Sequence, residues 1–418
     1  MTVDRTPLVL VCGPRGPLEA VTTSLAEPGT AVVHHDLSGV EAGVVTRRTT
    51  RVDADGDARV RDVALGVAGC CVDCMLRMDL LPLLRTLADD AAVRRIVVRL
   101  DPLLEAEALC WAIENTVVTG MVGRVDAPAG HDVRIEAVIG CVDAASFLGD
   151  ATGDEPMSAY DDRTVAQVTV GNARHADVVV VADTAPDRWA AARLTAVLDR
   201  LAPRAATAWI LPSETPTGLL ARVPASARRG AVDDAHAPLL DGAPPLTEDC
   251  GVQLLEIADR RPFHPGRLHE AVDVLLDDVV HARGRLWVAT QPDAVLWLES
   301  AGGGLRIAAA GRWLAAMDPT EYDDVSVARR AMAALGWDDE YGDRAQSLVV
   351  LLAGADPEHV HRVLTDALLT DVELADPESW TTWDDPFGQY HEDPCETDDS
   401  RTSTTESTLP RNTGKARE

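Results

Sequence analysis

Short β-branched runs alternate with stretches of helical spacing through the first half of the chain, and nothing else in the sequence limits the fold as strongly. Residues 6–12, 31–35, 95–100, 133–142 and 176–181 are compact apolar runs of the kind that fill buried strands. Helical stretches at 18–25, 74–87, 105–115, 163–173 and 188–201 lie between them. In 74–87 the apolar repeat runs through Leu76, Leu80, Leu83, Leu84 and Leu87, with Pro82 inside it. Strands separated by helices in this way predict an α/β domain with a doubly wound, mostly parallel sheet.

Residues 212–249 are rich in Pro, Ala, Gly and Asp and read as an inter-domain linker. Beyond them the pattern changes. Strands are expected at 252–257, 285–289, 294–299, 305–309 and 347–352, the middle three forming a meander whose last turn is Gly302-Gly303-Gly304. A helix is expected over 265–280. Asp356 and Pro357 have the N-cap and first-turn chemistry of another helix running to Leu369. This half reads as a smaller α+β domain. The expected organisation is therefore 1–211, linker 212–250, second domain 251–375, and an acidic, Ser/Thr-rich tail over 376–418 that is expected to be disordered from residue 398.

Charge narrows the function. Against 68 Asp+Glu stand 38 Lys+Arg, a formal net charge of −30. Such a surface repels phosphates, which argues against direct DNA or RNA binding and favours a basic protein partner or a cation. Lys415 is the sole lysine of the chain. The folded body therefore has no lysine for a phosphate loop, a Schiff base or general-base chemistry. No apolar run approaches the roughly 20 residues that span a bilayer, and Met1 to Arg5 is polar. A cytoplasmic protein without membrane attachment is expected, its eight cysteines too few for a disulfide scaffold.

The sharpest local signal is Gly69-Cys70-Cys71-Val72-Asp73-Cys74 at the head of the 74–87 helix. Two thiolates at C-x-x-C spacing with a carboxylate between them suit zinc, which accepts sulfur, nitrogen and oxygen donors. A helix start also stabilises thiolate through its backbone N–H groups. Cys71, Asp73 and Cys74, with Cys70 beside them, are the candidate metal ligands. A closed site wants four donors, and His34, His35, His391 and Cys395 are candidates for the remainder. Against this stand two plainer readings: three small cysteines in a tight turn, or a redox pair. Cys12, Cys110, Cys141 and Cys250 read as core or incidental thiols. His264 reads as a helix cap or packing residue.

Together these segments resemble the CobW-like family of P-loop GTPases and zinc metallochaperones. Cys71-Val72-Asp73-Cys74 followed by Arg77-Met78-Asp79-Leu80-Leu81 takes the place of the family's Cys-x-Cys-Cys motif, with Asp73 for the middle cysteine. Val142-Asp143-Ala144 with Phe147 is similar to another family segment. Phe263-His264-Pro265-Gly266-Arg267-Leu268, Arg283-Gly284-Arg285-Leu286-Trp287, Gly342-Asp343-Arg344 and Leu368-Leu369-Thr370-Asp371-Val372-Glu373 resemble the CobW C-terminal domain, in order. The resemblance implies a P-loop GTPase-like domain followed by that smaller domain.

The nucleotide motifs depart from the family. Where its Gly-x-x-x-x-Gly-Lys-Thr loop belongs, this chain has Gly13-Pro14-Arg15-Gly16-Pro17-Leu18-Glu19. The phosphate lysine and the magnesium hydroxyl are missing, and two prolines remove N–H donors. Arg99-Leu100-Asp101-Pro102 replaces Glu-Thr-Thr-Gly, and Ala182-Asp183-Thr184-Ala185 replaces the guanine-reading Asn-Lys-x-Asp. The expectation is a degenerate loop at Gly13, Arg15 and Gly16, no catalytic residues, and no bound GTP or Mg²⁺. Within the family the pattern is most similar to an actinobacterial branch that recruits a ribosome hibernation factor under zinc starvation. That resemblance implies a non-catalytic adaptor whose partners are the hibernation factor and the 30S or 70S ribosome. The alternative is a GTP-dependent zinc metallochaperone.

Overall fold

The computed structural model describes residues 5–66, 72–158, 161–182, 185–210 and 217–388. In chain order the first domain comprises β1 (Thr6–Cys12), α1 (Arg15–Leu25), β2 (Thr30–Asp36), β3 (Val44–Val52), β4 (Ala58–Gly66), α2 (Val72–Ala88), β5 (Arg95–Arg99), α3 (Ala106–Asn115), β6 (Val117–Val118), β7 (Ala127–Pro128), β8 (Val133–Asp143), α4 (Phe147–Thr152), β9 (Pro156–Ser158), β10 (Asp161–Thr164), α5 (Val165–His175), β11 (Val178–Ala182), α6 (Arg188–Leu201) and β12 (Ala206–Ile210). Eight strands form one sheet in the order β12-β11-β8-β1-β5-β2-β3-β4. It is parallel from β12 to β2, and β3 and β4 extend it as an antiparallel hairpin. The hairpin mixes Thr, Arg and Asp with valine and the β6–β7 and β9–β10 pairs are short, so neither stands out in the sequence; β12, an apolar run, is also absent from the expected strands.

Helices cover both faces, because parallel strands joined by crossovers bury both sides. Leu18, Val21 and Leu25 of α1 pack against Val9, Val11, Val97 and Ile139 on one face. Leu80, Leu81, Leu84 and Leu87 of α2, with Cys110 and Ile113 of α3, pack against Leu8, Leu10, Ile96 and Val98 on the other. Pro82 sits inside α2 without ending it. A large-to-small change such as Leu84→Ala in that layer costs about 2–5 kcal/mol.

The second domain comprises β13 (Gln253–Asp259), α7 (Pro265–Ala271), β14 (Val279–Leu286), β15 (Ala294–Ala301), β16 (Gly304–Arg312), α8 (Val327–Leu335), β17 (Gln346–Leu352) and α9 (Pro357–Asp366), with two further single turns, α10 (Asp371–Leu374) and α11 (Pro377–Trp380). Its five-stranded sheet, β13-β17-β14-β15-β16, is antiparallel. Two expectations need correction. The helix expected over 265–280 ends at Ala271, and Val279 and Val280 belong to β14, paired with β17. The strand expected at 285–289 is that same β14, displaced toward the N-terminus. Asp278 adopts φ +53, which turns the chain out of the helical course and into the sheet. The chain stays packed through Phe387, which is 3% exposed, and Trp383 stacks on His264 at 4.7 Å between ring centroids.

The two domains share a core. Phe147, Val170, Val197 and Leu198 of the first pack with Val252, Val280, Ala301 and Leu351 of the second. The glycine turn after β15 makes this close approach possible. A Cβ on Gly302 would lie 2.3 Å from the Gly153 carbonyl oxygen, so only glycine fits. Beside this apolar seam is a polar knot. Asp233, from the segment between the domains, accepts from Arg174 of α5 and Arg283 of β14 at 2.8 Å each, and pairs with Arg228. Burial would raise the Asp233 carboxyl, but the Arg228 hydrogen bond and the charges of Arg228, Arg174 and Arg283 hold it far below its ordinary value. The segment that composition marks as a linker is therefore packed into the seam. Among the described residues no helix is long and apolar enough to cross a membrane.

Candidate functional site: the carboxyl edge of the parallel sheet

In a sheet of this kind ligands bind beyond the carboxyl ends of the strands, where neighbouring connections diverge. β1 leads to β2 on one side and is flanked by β8 on the other, so the corner after Cys12 is that point. Here the connection is almost absent. β1 ends at Cys12 and α1 begins at Arg15, leaving Gly13 and Pro14 between them. A loop that wraps phosphates needs several consecutive N–H donors. Pro14 and Pro17 supply none, and Leu18 N–H is used by the Pro14 carbonyl at 3.2 Å. Gly13, at φ +126, presses onto β8 so closely that a Cβ would lie 2.2 Å from the Cys141 carbonyl oxygen. No cradle remains around Gly13, Arg15 and Gly16.

An ion pair occupies the adjoining space. Arg15 reaches Asp101, just past β5, at 3.7 Å; their side chains are 63% and 2% exposed. Asp101 also accepts from Leu37 N–H at 3.3 Å and Leu103 N–H at 3.2 Å. A buried carboxylate that ties together the connections after β2 and β5 faces the place where a nucleotide would bring phosphate oxygens. Like charges there repel. The residues aligned with the guanine-reading motif include Asp183 and Thr184, which lie outside the described residues.

The head of α2 stands along the same edge. Cys70 and Cys71 lie outside the described residues, as do the side chains of Asp73 and Cys74, although the backbone places both in the first turn of α2. Further along α2, Asp79 accepts from His35 Nε2–H at 2.8 Å and from Arg47 at 2.5 Å. Burial would raise the Asp79 carboxyl, but the His35 and Arg47 hydrogen bonds hold it below its ordinary value. The effect is to fix the His35 ring by its Nε2 atom, the kind of carboxylate support that orients a ligating imidazole. His35 is 3% exposed and lines a small cleft of about 70 Å³ between α2 and α3, together with Leu76, Arg77, Glu105 and Arg163. His34 instead bonds the Arg99 carbonyl at 3.1 Å through Nδ1. His391 and Cys395 lie outside the described residues. No cluster of three or more metal-type side chains occurs among the described residues. Arg85, 2% exposed, holds the far half of α2 in place by donating to Asp132 at 2.6 Å and to the Ala127 and Val125 carbonyls at 3.1 Å.

The remaining cysteines behave as core thiols. Cys12, Cys110 and Cys141 are buried, and burial pushes the Cys12 thiol up to about 12. Cys250 is half-buried and donates to Asp249 at 3.2 Å. His264 caps α7, accepting from Arg267 N–H at 3.4 Å. Arg267 forks onto Glu373 with two bonds of 2.8 Å, so two motifs a hundred residues apart in sequence form one clamp. Asp79, Arg47 and Asp101 were missed as partners. The visible signal was a carboxylate five residues beyond Cys74 and two adjacent histidines at the end of a strand.

A doubly wound domain with its phosphate corner closed, a cysteine-bearing helix at the same edge, and an antiparallel domain behind it define the class. Residues 252–368 match the family model described as cobalamin synthesis protein cobW C-terminal domain. The chain is 47% identical to "Zinc chaperone Rv0106" of Mycobacterium tuberculosis (strain ATCC 25618 / H37Rv), over 94% of this chain and 95% of that one. It is 23% identical to "Zinc-regulated GTPase metalloprotein activator 1" of Dictyostelium discoideum, over 76% and 68% of the two chains. The crystal structure of Zn(II)-bound YjiA GTPase from E. coli aligns with 88% of this chain and 100% of its own, at 13% identity and a TM-score of 0.38. The chain belongs to the CobW-like family.

Proposed function

We propose that this protein handles zinc as cargo, in the manner of a metallochaperone, and does so without nucleotide turnover. The relatives named as a zinc chaperone and a zinc-regulated activator support the first part. One observation carries the second: the β1–α1 connection is reduced to Gly13-Pro14, with Asp101 set against the phosphate position. Zinc would be held by Cys71, Asp73 and Cys74, with Cys70 adjacent. The donor set fits, since two thiolates and a carboxylate at a helix start suit a borderline-soft dication. The GTP-dependent form of the same activity, favoured by the Dictyostelium relative's name, requires a triphosphate in that corner.

Two measurements test this reading. Zinc affinity is measured by competition with a chromophoric chelator for the wild type and for Cys71→Ser with Cys74→Ser. Loss of at least about tenfold in affinity is expected, and unchanged affinity rejects the ligand set. Calorimetry with GTP and Mg²⁺ should show no saturable heat. Phosphate release well above blank would mean the corner works as a nucleotide site.

A narrower reading is the adaptor that recruits a ribosome hibernation factor to the 30S or 70S ribosome during zinc starvation. The net charge of −30 favours it, because a factor that binds rRNA is basic and is steered to such a surface. The same charge directs docking through the factor or ribosomal proteins rather than through RNA. A pull-down from zinc-starved cells that lacks both the factor and 30S proteins rejects this role and leaves the zinc carrier standing.

A further inference from the structure

The second domain contains a cleft of about 370 Å³ between α8 and the sheet that neither the zinc motif nor the closed corner uses. Arg260, Arg285 and Arg329 converge on it, an unusual gathering in a chain of net charge −30. Most guanidiniums near the seam meet a carboxylate. These three form no ion pair among the described residues. Arg285 donates to the Ala235 and Ala237 carbonyls at 2.9 and 3.0 Å and to Ser347 Oγ at 3.3 Å. Arg260 donates to the carbonyls of Gly342 at 3.3 Å, Arg344 at 3.2 Å and Gly336. Arg329 donates to the Arg312 carbonyl. Burial pushes Arg285 and Arg329 below the ordinary guanidinium value, against the opposing charge of Asp234 on both and of Asp343 on Arg329.

A second, independent observation is an excess of donors. Trp313 lines the cleft, is 3% exposed, and its indole N–H has no hydrogen-bond partner among the described residues; the Arg329 Nε–H is likewise buried and unpartnered among them. A buried donor left unsatisfied costs roughly 1–3 kcal/mol, so the arrangement gains when an acceptor enters. Two carboxylates also line the cleft. Both oxygens of Asp343 are engaged, by Leu314 N–H and Ala315 N–H at 2.9 Å, and Asp259 accepts from Arg261 N–H at 2.7 Å. Three guanidiniums face these two carboxylates, and Asp234, outside the lining, acts on both Arg285 and Arg329, so the charges come near balance. His236 is kept toward neutrality by burial and by Arg329 and Arg285. A site near charge balance takes a monoanion more readily than a phosphate dianion. Trp313, Met332 and Ala333 add an apolar wall.

We propose that this cleft binds an organic monocarboxylate with an apolar body, the carboxylate taken by the arginine forks and the body laid against Trp313 and Met332. The carboxylate can belong to a small acid or to the C-terminus of a peptide. The test titrates the full-length protein with 3-phenylpropionate, its neutral amide and inorganic phosphate, by calorimetry and tryptophan fluorescence. A parallel arm compares a short peptide ending in Phe as free acid and as amide. Saturable binding of either acid, at least about tenfold tighter than its amide, is expected. Whichever acid saturates identifies the source. Arg329→Ala, on an exposed helix that tolerates alanine, should weaken the acid about tenfold, and Trp313→Phe should weaken it by a smaller factor while circular dichroism is unchanged. Equal binding of acid and amide, tighter binding of phosphate, or no saturation by either acid at millimolar concentration overturns the proposal. So does wild-type affinity in a folded Arg329→Ala protein. Should that variant not fold, the acid-to-amide ratio on the wild type decides.

Discussion

The corner after β1 and the seam between the domains both pair arginine with aspartate, but on very different terms. At the corner one guanidinium, 63% exposed, stands 3.7 Å from Asp101. At the seam three guanidiniums with side chains 6%, 6% and 12% exposed close on Asp233. The corner is where a nucleotide-driven protein of this fold would do its work, and here it is filled cheaply by the chain's own groups. The seam is where such a protein would transmit a change of state, and here it is locked by charge and by a shared apolar core. A corner without nucleotide turnover, as proposed above, would make no demand for a loose seam, so the two observations are compatible. The zinc site proposed at the head of α2 would then act locally rather than through the whole molecule.

Removing Asp233 tests the locked half of that contrast and carries the largest expected effect. Asp233→Ala leaves Arg228 and Arg283 without their carboxylate and Arg174 with Glu107 and Glu299 alone, and should cost about 3–5 kcal/mol, read from the midpoint of urea denaturation. A loss under about 1 kcal/mol would make the knot incidental. Asp101→Ala comes next. It strips two backbone N–H groups and Arg15 of an acceptor, for about 1–3 kcal/mol. If Asp101→Ala also created saturable GTP binding, the carboxylate would be the principal barrier at the corner, ahead of the shortened loop.

How far the sequence foretold this contrast depended on the kind of signal. Parallel strands are buried on both faces and stand out as apolar runs, so β1, β5, β8 and β11 were legible nearly to their ends. β3 and β4 were not, because an edge hairpin such as Val44–Val52 and Ala58–Gly66 exposes residues on both faces and mixes Thr, Arg and Asp with valine. α8 was missed for a related reason: none of its residues is buried. The eroded corner was visible in Gly13 to Glu19 as missing residue types. Its closing by Asp101 was not, since that needs β5 placed beside β1. Asp233 was hidden more thoroughly. Proline and glycine report that a segment lacks regular structure, and the described residues 217–249 carry no α-helix or strand of the two sheets, but composition says nothing of whether they pack. The Arg267–Glu373 clamp shows the opposite case, in which motifs were recognisable as strings and acquired a physical meaning only when folded together.

Acid should loosen the seam. Burial would raise the Glu299 carboxyl, but the hydrogen bond from His281 and the charges of Arg174, His281 and Arg283 hold it at about 2, below its ordinary 4.5. A depressed carboxylate contributes stability above its unfolded value and loses it as pH falls from there through the folded value. Burial also pushes His281 below its ordinary 6.5, so the unfolded chain takes that proton first and stability already declines as pH drops below that point. Both contributions have the same sign. Thermal midpoints followed from neutral pH down to about pH 3 should fall more steeply below 4.5 for the wild type than for Glu299→Gln, which also takes away the Glu299 contribution that raises His281. Parallel profiles would place the acid sensitivity outside the seam.

Arg15→Ala has the smallest expected effect and separates two accounts of the corner. As the exposed member of a pair 3.7 Å apart, Arg15 should contribute less than about 0.5 kcal/mol, and the denaturation midpoint should barely move. As a replacement for the missing phosphate lysine, it would matter greatly to GTP and hardly at all to folding. Calorimetry on both proteins distinguishes these. Absence of saturable GTP heat in wild type and variant alike is expected of a corner in which Arg15 serves Asp101. A wild-type signal that disappears in the variant would show that one arginine, freed from its aspartate, still grips a triphosphate at the end of β1, and the contrast between an idle corner and a locked seam would have to be given up.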